Sequence, residues 1–247
     1  MLLTLSTFAV LCSVAASASL SAPVVPRPRP AAGAPKFIPA SDPSVTYTGR
    51  TRVNGDGTRS FDWEATQINL NVVGASYVRA TINATGGILG RFIAEVDGWE
   101  VSSFYVGGGN GALTTNDFFI AYDLYDTRHI RLIQSLEPAF AGANAGAFFT
   151  FVGFTTDGTA AAPTPRTRSI ELVGDSISAG YGARGHAGTP YGCPVDDNTS
   201  GNYYTYNWML AEAFSADLTV VSPRFCLGER TPAVIYAPPP PAPPPSP

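Results

Sequence analysis

Residues 169–182 read Ser-Ile-Glu-Leu-Val-Gly-Asp-Ser-Ile-Ser-Ala-Gly-Tyr-Gly. Ser169–Val173 is a compact strand, and it runs directly into Gly174-Asp175-Ser176 and a glycine-rich loop, Gly180-Tyr181-Gly182. A serine becomes a nucleophile when it sits at an exposed turn, near a base, with donors aimed at the developing oxyanion. The strand-to-turn context meets the first condition for Ser176, and the Ser176 backbone N–H supplies one donor. Gly-Asp-Ser alone is a common tripeptide whose ordinary meaning is a turn, and shaping that turn is the role read for Gly174 and Asp175.

On the C-terminal side, residues 202–216 read as an amphipathic helix. Tyr206, Met209, Leu210, Ala213 and Phe214 fall on one face, and Ser200 or Asn202 is placed to cap the start. Leu218–Val221 is a β-branched-rich buried strand. Strand, turn, helix, strand is the opening unit of a parallel α/β sheet. The pattern ends near Ser222, and a proline-dominated stretch, Pro238–Pro247, follows. Two parallel strands and one helix bury too little to stand alone. The sequence is therefore expected to be cut, frame-shifted or spliced near Ser222.

The N-terminal side has a different grammar. From about Phe37 to Asp157, short period-two runs are separated by turn signals. Val78, Ala80 and Ile82 alternate with Arg79 and Thr81, and Phe92, Ala94 and Val96 alternate with Arg91 and Glu95. His129-Ile130-Arg131-Leu132 repeats the pattern, while Phe149 and Phe151 mark another inward face. Asn54-Gly55-Asp56-Gly57 and Asp97-Gly98 are hairpin signals. A β-sandwich is expected here. The sequence thus divides into a signal peptide (1–18), a proline-rich linker (19–36), an all-β sandwich (37–158), a second linker (159–168), a partial α/β domain (169–222) and a proline-rich tail (223–247).

The block Glu171–Gly182 resembles the nucleophile block of SGNH hydrolases. More narrowly it is similar to family 2 carbohydrate esterases, which place a jelly-roll β-sandwich before a flavodoxin-like SGNH domain. Gly49-Arg50, Phe61-Asp62-Trp63, Glu95-Val96-Asp97-Gly98 and Thr127–Leu132 carry similar features upstream. Cys193-Pro194, Tyr203–Ala211 and Leu218–Ser222 continue the match downstream. The resemblance covers roughly residues 45–222. It implies deacetylation of cell-wall polysaccharide such as xylan, as in acetylxylan esterases, through an acyl-enzyme on Ser176. It also implies an oxyanion Gly and Asn and a late catalytic His, and no position in this sequence matches them. His186 lies ten positions after Ser176 and reads as a solvated loop residue, and His129 reads as structural. Losing one oxyanion donor alone costs on the order of 100- to 1,000-fold. Negligible esterase activity is therefore expected from the chain as written.

Composition narrows the remaining possibilities. The 247 residues are 45% apolar, with 15 basic and 19 acidic side chains and a formal charge of −4. No basic stripe suits a phosphate backbone, so nucleic acid is excluded as an expected partner, as is a membrane once the signal is removed. The expected partner is an acetylated polysaccharide or oligosaccharide. The Leu2–Ala16 run, followed by Ala16-Ser17-Ala18, fits a cleaved signal peptide and a secreted protein. A signal anchor or a disordered tail is the bland alternative. Cys12 leaves with the signal, and Cys193 and Cys226 are the two thiols left to pair. Asn83 and Asn198 head N-glycosylation sequons. No Cys/His cluster has metal-ligand spacing, and no cofactor is expected. Two further readings compete. One is a non-catalytic secreted sandwich that binds glycan through aromatics such as Trp63, Trp99, Phe104 and Tyr105, which otherwise fill the core. The other is an SGNH lipase.

Overall fold

A computed structural model describes residues 33–85, 88–107, 114–136, 148–185 and 199–222. The strands between Lys36 and Ala161 form two six-stranded sheets. The first is ordered β3 (Arg52–Val53), β4 (Arg59–Phe61), β11 (Phe149–Thr156), β6 (Ala75–Ala84), β9 (Thr114–Leu124), with β1 (Lys36–Pro39) also on β11. The second is ordered β12 (Thr159–Ala161), β5 (Gln67–Val73), β10 (Arg128–Gln134), β7 (Leu89–Val96), β8 (Trp99–Gly107), with β2 (Thr46–Thr48) also on β5. Every pairing within the two sheets is antiparallel.

The period-two pattern explains how the sheets close on one another. Val78, Ala80 and Ile82 of β6, Phe149 and Phe151 of β11, Phe92 and Ala94 of β7, and Ile130 and Leu132 of β10 all enter one core cluster. Alternate side chains of a strand point to opposite faces, so each apolar series meets its counterpart across the gap. Phenylalanines organise the centre: Phe92 and Phe149 meet edge to face at 5.1 Å, and Phe151 meets Phe154 at 4.8 Å. The Asp97-Gly98 signal becomes the two-residue turn joining β7 to β8. Both residues have positive φ (52° and 84°), as a tight turn matching strand twist requires. Residues 54–57 likewise join β3 to β4.

Several polar residues of β7 and β10 do not face solvent, although Arg128 at the start of β10 does. Arg91, Glu95 and Arg131 are buried, together with Ile93 and Ile133. They lie on the outer face of the second sheet, and a second apolar cluster covers that face. It joins Ala65, Ile93 and Ile133 to Trp208, Ala211, Leu218 and Val220. The covering unit is a parallel strand pair, β13 (Arg168–Val173) and β14 (Ala216–Val221), with helix α1 (Tyr206–Ala213) between them in sequence. The strand–turn–helix–strand reading is therefore observed, and the sandwich itself supplies one of the layers a two-stranded parallel sheet needs.

Two expectations need correction. Within residues 202–216, α-helix is limited to Tyr206–Ala213; Asn202–Tyr204 is a 3₁₀ turn, and Thr205 precedes α1 without a side-chain cap bond. The buried face is Asn207, Trp208 and Ala211, whereas Tyr206, Met209, Leu210 and Phe214 are exposed. The helix is apolar on nearly all sides, so its pattern does not choose a face. The Trp208 ring, against the Arg131 guanidinium at 5.2 Å, and the buried Asn207 amide choose it instead. In addition, 159–168 begins not as a linker but as β12, which pairs with β5.

Candidate active site

Ser176 lies where the chain leaves the C-terminal end of β13. In parallel α/β sheets that edge is where ligands bind. The Gly174 N–H donates to the Val221 carbonyl at 3.1 Å, which extends the β13–β14 pairing to the foot of the turn. The Asp175 carboxylate then accepts the Ile177 N–H at 3.0 Å, and its carbonyl accepts the Ala179 N–H at 3.0 Å. The Ser176 carbonyl accepts the Tyr181 N–H at 2.9 Å. Local bonds therefore bracket the serine on both sides, while its side chain stays partly exposed.

Two glycines permit this path. A Cβ on Gly174 would stand 2.2 Å from the Ser178 hydroxyl, and Gly180 has φ +89° with the Gly201 carbonyl in the way of any side chain. The loop is also held from below. Asn202 and Asn207 both donate their amides to the Ser178 carbonyl, at 2.8 and 3.1 Å. The Ser178 hydroxyl meets the Tyr206 hydroxyl at 3.0 Å. The Asn202 N–H donates to the Ser135 carbonyl at 2.7 Å, which ties the loop's base to the second sheet. Arg184 lies over the Tyr204 ring at 5.0 Å.

The sandwich reaches the same edge of the parallel pair. Ser222, just past β14, donates to the buried Glu64 carboxylate at 2.7 Å, and Arg50 pairs with Glu171 at 3.1 Å. Near Glu64, burial raises the Asp62 carboxyl to about 6 despite Arg50 and Arg52. Farther along the interface, Arg131 bonds Glu95 and Glu212, and Arg166 bonds Glu212 at 2.9 Å.

No imidazole is placed beside Ser176 among the described residues. His129 lies in β10 with Nε2 enclosed, and burial, Arg131 and Arg166 hold it below the usual imidazole range. His186, Asn198, Cys193 and Cys226 lie outside the described residues. Asn83 lies near the end of β6 with its Oδ1 enclosed. Of the four proposed sugar-stacking rings, Trp99 is 78% exposed. Phe104 follows the core reading instead, packed between Phe92 and Phe118. Sequence reasoning missed Asn207, Glu64 and Arg131, and it read Asn202 only as a helix cap. The one available signal was an amide inside an apolar helix, where asparagine is a weak helix former and needs a tertiary reason.

Comparison with known proteins bears on the fold. No family model matches. The chain is 25% identical over 183 residues to the cellulase/esterase CelE of Acetivibrio thermocellus, covering 73% of this chain and 20% of that protein. A family two carbohydrate esterase from Clostridium thermocellum, solved in complex with cellohexaose, is 25% identical with a TM-score of 0.61. That match covers 72% of this chain and 50% of the other. An acetyl xylan esterase, Est2A of Butyrivibrio proteoclasticus, is 20% identical with a TM-score of 0.62, over 76% of this chain and 48% of the other. The chain thus spans about half the length of these solved structures. Across that half, its β-rich fold is similar to that of family 2 carbohydrate esterases.

Proposed function

We propose that this is a secreted serine esterase that removes acetyl groups from cell-wall polysaccharide such as xylan, with Ser176 as nucleophile. In this reading residues 37–158 are a jelly-roll sandwich and 169–222 belong to an SGNH hydrolase domain. The single observation that carries it is the placement of Gly174-Asp175-Ser176 at the C-terminal end of a parallel strand, docked on a sandwich like those of carbohydrate esterases. Esterase activity in the named relatives, and acetyl xylan esterase among them, supports the substrate class.

The chemistry follows from the turn. The Ser176 hydroxyl oxygen attacks the acetyl carbonyl carbon and gives up its proton to a base, and the carbonyl oxygen gathers negative charge in front of the Ser176 N–H. Collapse breaks the bond to the sugar oxygen, which takes the proton from the base and leaves as a hydroxyl. Water then attacks the acetyl-serine and releases acetate.

The test is acetate release from acetylated xylan by the protein recovered from its own source, against its Ser176→Ala form. Loss of release in the variant is expected. Equal release by both forms, or none by the recovered protein, overturns the reading.

A further inference from the structure

We infer a second, non-catalytic site: the outer face of the first sheet at β9 binds a neutral oligosaccharide on Phe119 and Tyr122. The inference does not rest on the chemistry of Ser176. Its starting point is a β-bulge. Val78 pairs with Ala121 and Arg79 with Phe119, so Ile120 is an extra residue on β9. Residues three apart on a regular strand point to opposite faces. The extra residue sends both Phe119 and Tyr122 outward while Ile120 and Ala121 stay buried. The two rings are 46% and 69% exposed, with centroids 6.1 Å apart and planes tilted by 34°.

Two hollows flank this aromatic ridge. One, of about 600 Å³, is lined by Ser76, Tyr77, Arg79, Phe119, Tyr122 and Asp123. The other, of about 520 Å³, shares Phe119, Tyr122 and Asp123 and extends to Ser102 and Arg128. A ring with a guanidinium and a carboxylate beside it is what a sugar needs. Its C–H face packs on the ring, and its hydroxyls both donate and accept.

The charges choose the ligand class. Arg79 donates to the Asp117 carboxylate at 2.8 Å, and Arg128 donates to the Asp97 carboxylate at 2.8 Å. Each cation at the site is matched by an anion, and Asp123 adds a further carboxylate, so no positive field favours a phosphate, a polyanion or an anionic membrane. An added peptide strand is disfavoured as well. The bulge breaks the regular β9 edge, and the Ser102 hydroxyl takes the Ile120 carbonyl.

The experiment is titration calorimetry of the whole chain with xylohexaose, cellohexaose and mannohexaose. Wild type, Ser176→Ala and the Phe119→Ala/Tyr122→Ala double variant are compared, with circular dichroism confirming that each folds. At least one neutral hexasaccharide is expected to bind wild type and Ser176→Ala equally, and about tenfold or more weakly to the double variant. A folded double variant that binds as well as wild type overturns the site. So does wild type that binds none of the three at millimolar concentration, or a ridge that self-associates or takes an extended peptide instead. If the double variant fails to fold, Tyr122→Leu, which keeps apolar bulk but removes the ring, replaces it under the same criteria.

Discussion

Arg131 and Glu95 face each other on neighbouring strands β10 and β7, and both are buried under the unit that carries Ser176. Arg131 also reaches Glu212 on α1 at 2.7 Å. A charge needed inside the protein is thus shared between the sheet and the helix that covers it, and the position of the α/β unit on the sandwich is fixed by that sharing.

Removing one partner leaves the other charged and dry. Arg131→Met is expected to destabilise the fold by about 3–5 kcal/mol, because Glu95 loses its counter-ion in the interior. Arg131→Met combined with Glu95→Met is expected to recover most of that loss, since two apolar groups of similar volume carry no desolvation penalty. Urea unfolding of the two singles and the double, read as a double-mutant cycle, measures the coupling.

The loop bearing Ser176 depends on the two amides beneath it. Asn202→Ala and Asn207→Ala each remove one of the two donors to the buried Ser178 carbonyl, at a cost of about 0.5–1.5 kcal/mol. The visible consequence is local: amide hydrogens of Ala179 and Tyr181 exchange faster in each variant than in wild type, while those of β6 and β11 do not. Uniform acceleration across both sheets would contradict the assignment.

Asp62 gives the fold a dependence on pH that one substitution removes. Its folded carboxyl titrates near 6, against 3.8 in an unfolded chain, chiefly through burial. Between those values the folded state holds the extra proton, so stability falls as pH rises through the window and is lowest, on this account, above about 6. Asp62→Asn cannot ionise. It is expected to be more stable than wild type at pH 7.5, with the difference shrinking as pH approaches 4, followed by thermal unfolding at both pH values.

How much of this was legible in the sequence differs from element to element. Ser169–Val173 and Leu218–Val221 were identifiable as strands because a short apolar run bounded by turn residues has few other readings, and they pair in parallel. The inward faces of β6, β7, β10 and β11 followed from period two. The burial of Arg91, Glu95 and Arg131 was not legible, because alternation reports which residues share a face and not what covers it. The buried side of α1 escaped for the opposite reason. A helix apolar on both sides offers two answers, and a Trp–Arg contact made across more than seventy residues of sequence selects one. The extra residue Ile120 in β9 is likewise invisible without its partner strand. Of the site itself, the nucleophile turn could be read, but its supports, Asn202, Asn207 and Glu64, became apparent only once the chain was folded.

Ser176 is the centre of the account, and the most direct measurement is peptide mass spectrometry after incubation of the folded chain with p-nitrophenyl acetate. Among the described residues no imidazole stands beside Ser176 to activate water against the ester, so an acetyl adduct should accumulate on the peptide containing Ser176 and be absent from Ser176→Ala. An unmodified Ser176, or acetylation that proceeds equally in the Ser176→Ala protein, would contradict the claim that this turn presents a nucleophile.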